Sequence, residues 1–176
     1  VALEVEWGKR LDDLVFADAL DRQGPFDAVT LVVSETSTGT RTPVRVCAEA
    51  LQAFPDTLLL TDVVSYLGGG PLGFDDHGVA FALAGVQKAL ACPPGLGVFA
   101  VSEEYVERAE EQEHRGWFLD PIRILQGHEE RKPPNTPAIS LLRALALQLE
   151  QITAGTTLPA HDSAEPGAEA WNARYR

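Results

Sequence analysis

Lys88 stands in the stretch ALAGVQKALACPPGLG, residues 82 to 97, as one ammonium group among apolar residues and glycines. Removing that charge from water is costly unless the group is paired or loses its proton, so its placement asks for a reason. Lys88 follows the continuous apolar run GVAFALAG, which reads as a strand buried on both faces. It precedes CPPGLG, where two prolines end any regular element. At the end of a buried strand a lysine amine can act as a nucleophile or imine former; in a surface loop it snorkels to solvent. Both readings stand on this stretch alone. Two more strand ends carry polar groups. SETSTGT, residues 34 to 40, closes the second strand with hydroxyls that include Thr36, and TDVVSYLGGG puts Asp62 at the end of the third; Gln87 and Lys88 follow the fourth. In a parallel sheet these carboxyl ends share one edge, so a hydroxyl, a carboxylate, an amide and an amine could line one crevice. Taken singly, each has a plainer account: a capped turn, a helix cap or metal ligand, a flexible glycine turn.

The elements that must position these residues alternate along the chain. ALEVE, AVTLVVS, TLLLTDVV, VAFALA and LGVFAV read as strands, and LDDLVFADALDRQ and PVRVCAEALQAF as amphipathic helices between the early ones. Alternating β and α units imply an α/β fold, a mostly parallel sheet with helices on both faces. VSEEYVERAEEQEHR reads as a solvated, charge-rich helix, and Gly116 to Pro137 as a long loop carrying Arg131, Lys132 and four prolines. AISLLRALALQLEQI is strongly periodic, with Ile139, Leu142, Leu145, Leu149 and Ile152 on one face. The tail from Thr153 to Gly167 reads as a linker.

A chain of 176 residues can bury a sizeable core, and no apolar run approaches the length of a bilayer span. A formal charge of -12 argues against non-specific binding to nucleic acid or to an anionic membrane surface. Cys47 and Cys92 have no metal-ligand spacing and sit in apolar contexts, as small buried residues in a protein compatible with a reducing cytoplasm. The three-glycine run lacks the ending of a Walker loop and the spacing of a dinucleotide fingerprint, and EWGKRLDDL supplies no phosphate loop after the first strand. The opening VALEVEWGKR has no initiator methionine and the end has no helix stop, so the sequence reads as a piece of a longer protein.

SETSTG, TDVVSYLGGGPL, ALAGVQKALACPPGLGVFAVSE and PPNTPAISLLRAL, in this order and spacing, resemble the class V branch of the fold-type-I pyridoxal-phosphate enzymes, especially the alanine/serine-glyoxylate aminotransferases. The resemblance implies that residues 1 to 152 form a partial cofactor-binding large domain and 153 to 176 a linker and the start of a truncated small domain. It implies that Lys88 forms the Schiff base with pyridoxal 5'-phosphate and shuttles the substrate proton, that Asp62 faces the pyridine nitrogen, and that Thr36 bonds the ring's phenolic oxygen. Val64 then packs on one ring face and Gln87 contacts the phosphate. Asn135 and Thr136 match the segment that reaches the neighbouring subunit's cofactor phosphate in a homodimer, although Pro133 and Pro134 replace the aromatic or histidine residues of many relatives. Glutamine before the lysine, where desulfurases carry histidine, disfavours that branch. The resemblance implies a cytoplasmic transaminase moving an amino group from a small amino acid such as serine or alanine to a keto acid such as glyoxylate or pyruvate. It places the phosphate nest, the ring-stacking aromatic and the substrate-carboxylate arginine outside this sequence, so the isolated piece is expected to be inactive. Two alternatives stay open: another class V enzyme, acting on aspartate, phosphoserine or aminoethylphosphonate or as a lyase, and a non-catalytic remnant or interaction domain.

Overall fold

A computed structural model of the chain describes residues 1–156. The order is α1 (Asp13–Gln23), β1 (Ala28–Val32), β2 (Ser34–Glu35), β3 (Thr40–Arg41), α2 (Val44–Leu51), β4 (Leu58–Asp62), β5 (Val79–Gly85), β6 (Gly97–Val101), α3 (Glu103–Glu110), α4 (Pro121–Glu129) and α5 (Ile139–Ala154). Asp12 starts α1 by accepting hydrogen bonds from the Leu14 and Val15 amides at 2.8 and 3.4 Å, which satisfies donors that have no partner inside the helix. Phe16, Ala19 and Leu20 of α1 and Val44, Cys47 and Leu51 of α2 recur at spacings of three and four, and both sets are buried in one core.

That core is the underside of a four-stranded sheet ordered β1-β4-β5-β6. β1, β4 and β5 are parallel, and β6 runs antiparallel to β5 at one edge. Leu31, Val33, Leu59, Val63, Ala82 and Ala84 alternate onto the core face. Leu59, 2% exposed, contributes on the order of 2 kcal/mol by burial. Val32, Asp62, Leu83 and Phe99 fall on the opposite face by the same alternation. There α3 covers one end, with Tyr105 tilted over Phe81 at 5.3 Å, while Val32, Leu83 and Phe99 stay exposed at 39 to 48%. GVAFALAG is expected to be buried on both faces; in β5 only the core face is fully covered by the described residues, and Leu83 on the other is exposed. A second small core, Val86, Leu90, Cys92, Leu145 and Ile152, seats α5 on the segment that follows β5.

Four expectations are corrected. ALEVE is not a strand: residues 1–6 have no ladder partner, and Val1, Val5 and Trp7 are exposed. Alternation alone cannot make a strand without a neighbouring edge to pair with. Instead this segment lines a cavity of about 600 Å³ beside α1 and β1. The stretch from 116 to 137 is not structureless, since it contains α4, whose N-cap Asp120 accepts from the Ile122 amide at 3.0 Å and whose first residue is a proline. The apolar stripe of α5 is only half used: Leu145 and Ile152 are buried, while Ile139, Leu142 and Leu149 are exposed. Thr153 and Ala154, expected as linker, instead close α5, and Gly155 caps it at φ 68°; residues 157–167 lie outside the described residues.

Cys47 and Cys92 are free and buried, as expected. Burial, with a smaller push from the negative charge of Asp13, raises the Cys47 thiol to about 11 from its ordinary 9.0. Below pH 9 the thiol is protonated in both folded and unfolded chains; between 9 and 11 the unfolded chain ionises first and binds fewer protons. Stability is therefore complete below that window and falls as pH rises through it. Urea midpoints of the full protein measured at pH 8 and pH 10.5 should show this loss, and Cys47→Ala should flatten it.

Candidate active site

Parallel pairing brings the ends of β1, β4 and β5, which lead into Thr36, Asp62 and Lys88, to one edge of the sheet. The Val33 amide bonds to the Asp62 carbonyl at 3.0 Å and the Val63 amide to the Leu83 carbonyl at 2.9 Å, so the ends of β1, β4 and β5 lie side by side. From β4 the chain turns at once. Asp62 Oδ1 accepts from the Val64 amide at 2.9 Å, and the Tyr66 and Leu67 amides both bond to the Val63 carbonyl. This Asx-type turn fixes a half-buried carboxylate at the strand end and leaves Val64 partly exposed beside it.

Thr36 lies in the tip between β2 and β3. Its exposed hydroxyl shares a 2.6 Å hydrogen bond with Ser65, 29 residues away, in the turn just described. The tip is braced from within: Glu35 Oε1 accepts from the Ser37 amide at 2.8 Å and from its hydroxyl at 2.7 Å, and these bonds hold the Glu35 carboxyl below its usual range. Thr36 and Asp62 are thus joined through one side-chain contact that sequence reasoning missed. Its only local signal was a hydroxyl residue three places after Asp62.

After β5 the chain steps out of the sheet. Val86 is fully buried in the second core, while Gln87 and Lys88 point outward and are exposed. Of the two readings open for Lys88, the exposed one is observed: the apolar neighbours Val86 and Leu90 take the core positions on either side, and the lysine between them is exposed. The turn itself is closed by bonds from the Ala91 amide to the Lys88 carbonyl at 2.9 Å and from the Cys92 amide to the Val86 carbonyl at 3.1 Å. Ala91 accepts φ 54° there, a left-handed conformation that costs about 1 kcal/mol for a residue with a Cβ. Gln87 folds back over Gly85, where an added Cβ would stand 2.5 Å from Gln87 Oε1. A side chain at position 85 would have to displace the exposed Gln87 amide.

Asn135 and Thr136 are exposed in the connection between α4 and α5. No hydrogen bond among the described residues joins them to Thr36, Asp62 or Lys88. No cluster of three or more metal-ligating side chains occurs among the described residues, and none of their helices is long and apolar enough to cross a membrane.

An open, mostly parallel sheet whose strand ends present an amine, a carboxylate and a hydroxyl defines the α/β class whose ligands sit at the strand carboxyl ends. The sequence profile described as Aminotransferase class-V matches residues 16–162, and the chain belongs to that family. It is 35% identical over 154 residues to an uncharacterized aminotransferase of Methanocaldococcus jannaschii, covering 86% of this chain and 40% of that one. It is 34% identical to a serine–glyoxylate aminotransferase of Methylorubrum extorquens, covering 82% of this chain and 38% of that one. Its fold is similar to the crystal structure of an alanine–glyoxylate aminotransferase from Nostoc sp., with a TM-score of 0.78 at 34% identity over 85% of this chain and 40% of that one. The chain thus spans about 40% of the length of the relatives it matches.

Proposed function

We propose that the full protein carrying this chain is a homodimeric, cytoplasmic, pyridoxal-phosphate-dependent transaminase. The observation that carries the reading is the presentation of Thr36, Asp62 and Lys88 from the ends of neighbouring strands, with Thr36 and the Asp62 turn tied together by the bond to Ser65. The donor set fits the cofactor. A carboxylate suits a protonated ring nitrogen, a hydroxyl suits an ionised ring oxygen, an amide suits a phosphate oxygen and a primary amine suits an aldehyde. When bound, the cofactor supplies that aldehyde and a ring that accepts the electron pair left on the substrate carbon.

The residues of the chain do the rest. Lys88 Nζ would hold the cofactor through its aldehyde and would carry the proton to and from the substrate Cα. Asp62 would keep the ring nitrogen protonated, Thr36 would donate to the ring oxygen, Val64 would support one ring face, and Gln87 would bind the phosphate. Thr136, with Asn135, serves the phosphate of a second subunit, which accounts for their exposure in one chain. Residues 1 to 152 are accordingly the incomplete large domain, and 153 to 176 lead toward the small one.

For substrates, we favour a small amino acid such as serine or alanine as donor and a keto acid such as glyoxylate as acceptor. The activities for which the Methylorubrum and Nostoc relatives are named support this choice. The test is a half-reaction with the full protein loaded with pyridoxal phosphate. Serine or alanine should bleach the cofactor band and release the matching keto acid, and glyoxylate should restore the band. Bleaching by aspartate or phosphoserine alone would move the protein to another activity of the class; a protein that takes up no cofactor would overturn the reading.

A further inference from the structure

The 2.6 Å contact between Thr36 Oγ1 and Ser65 Oγ joins two hydroxyls from separate elements at the edge of the site. Each hydroxyl carries one proton and two lone pairs, so the bond consumes the proton of one partner and leaves that of the other free. Thr36 is exposed at the strand ends and Ser65 is partly buried behind it. Thr36 is thus the more accessible of the two hydroxyl residues.

The two residues differ in how firmly they are held. Ser65 sits inside a turn pinned by the Asp62–Val64 bond at 2.9 Å, by the Tyr66 and Leu67 amides on the Val63 carbonyl, and by the Tyr66 hydroxyl on the Pro71 carbonyl at 3.0 Å. Thr36 has a braced backbone, but its side chain is exposed, and the tie to Ser65 sets the direction of its hydroxyl. We propose that Ser65 is a positioning residue that donates its proton to Thr36 Oγ1, so that the Thr36 proton is aimed at an ionised ring oxygen of the cofactor. Hydrogen bonds in series polarise one another, so the same arrangement makes Thr36 a stronger donor than a lone hydroxyl. Ser65 follows Asp62 by three residues in one rigid turn, so the groups facing the ring nitrogen and the ring oxygen are set by a single piece of backbone. This inference deepens the transaminase reading and rests on it.

The experiment uses the full protein and pyridoxal 5'-phosphate, with cofactor affinity and the pH midpoint of the cofactor's absorbance change as readouts. A donor to the ring oxygen favours its ionised form, so weakening that donor raises the midpoint. Ser65→Ala should raise it by about half a unit and weaken cofactor binding about 5-fold, the size of one neutral hydrogen bond. Ser65→Thr, which keeps the hydroxyl, should restore both. In a Thr36→Ala background, Ser65→Ala should add nothing further, because the serine acts through the threonine. If Ser65→Ala loses its fold, Ser65→Cys, of similar shape and weaker donor strength, should give a smaller shift in the same direction. A wild-type midpoint in Ser65→Ala, an equal shift in Ser65→Thr, or full additivity with Thr36→Ala would overturn the proposal while leaving the transaminase reading intact. Failure of the wild-type protein to bind the cofactor would overturn both.

Discussion

Lys88→Ala in the full protein should lose the covalent attachment of pyridoxal phosphate and reduce turnover by about 10³-fold or more, since the lost group is both nucleophile and proton carrier. Borohydride reduction followed by peptide mass spectrometry separates this from a folding defect. The wild-type protein should retain the cofactor on the peptide containing Lys88, and the variant should bind it only reversibly. The fold should survive, because Lys88 is exposed and the loop around it is held by Val86, Leu90 and two backbone bonds that alanine does not touch. Lys88→Arg should fail equally, because a guanidinium cannot be deprotonated to a free amine. Retention of the reduced cofactor in Lys88→Ala, or its appearance on Lys9 or Lys132 in the wild-type protein, would remove Lys88 from the mechanism.

Asp62 is expected to show the second largest effect, and its two tasks can be separated. One oxygen of the carboxylate already accepts the Val64 amide at 2.9 Å, so the residue shapes the turn as well as supplying charge. Asp62→Asn keeps an oxygen for that bond and removes the charge. Its melting temperature should stay near wild type while kcat falls by about 10²- to 10³-fold, the scale seen when one preorganised electrostatic contact is removed. Asp62→Ala removes both, adding a loss of about 1 kcal/mol typical of a missing side-chain cap. It should also loosen Ser65 and hence Thr36, so cofactor affinity should fall further than in Asp62→Asn. Equal kcat in wild type and Asp62→Asn would show that the carboxylate is a turn residue only.

The fold class was legible because the decisive signals are local. AVTLV, LLLTD, VAFALAG and GVFAV are apolar runs of strand length, and helices α1 and α2 carry their buried residues at helical spacing between them. The N-terminal ALEVE shows where that logic stops: its alternation is as clear as that of a true strand, yet no edge among the described residues pairs with it. Helix α4 was hidden for the opposite reason. Its Asp-Pro start is a recognised helix opening, but prolines and charges on both sides gave the whole stretch the composition of a loop.

The sequence by itself determined which chemical groups stand at the ends of strands: Thr36, Asp62, Gln87 and Lys88 come at or just after apolar runs of strand length bounded by turn residues, and in a parallel sheet such ends converge. Only the tertiary structure decided how those groups are held. It tied Thr36 to Ser65 across 29 residues, turned Lys88 outward between two buried apolar neighbours, and placed Asn135 and Thr136, exposed, in the connection between α4 and α5. The physical reason is that periodicity records which residues prefer to be buried, whereas a hydroxyl's partner and a lysine's exposure depend on atoms brought close by chain segments far apart in sequence.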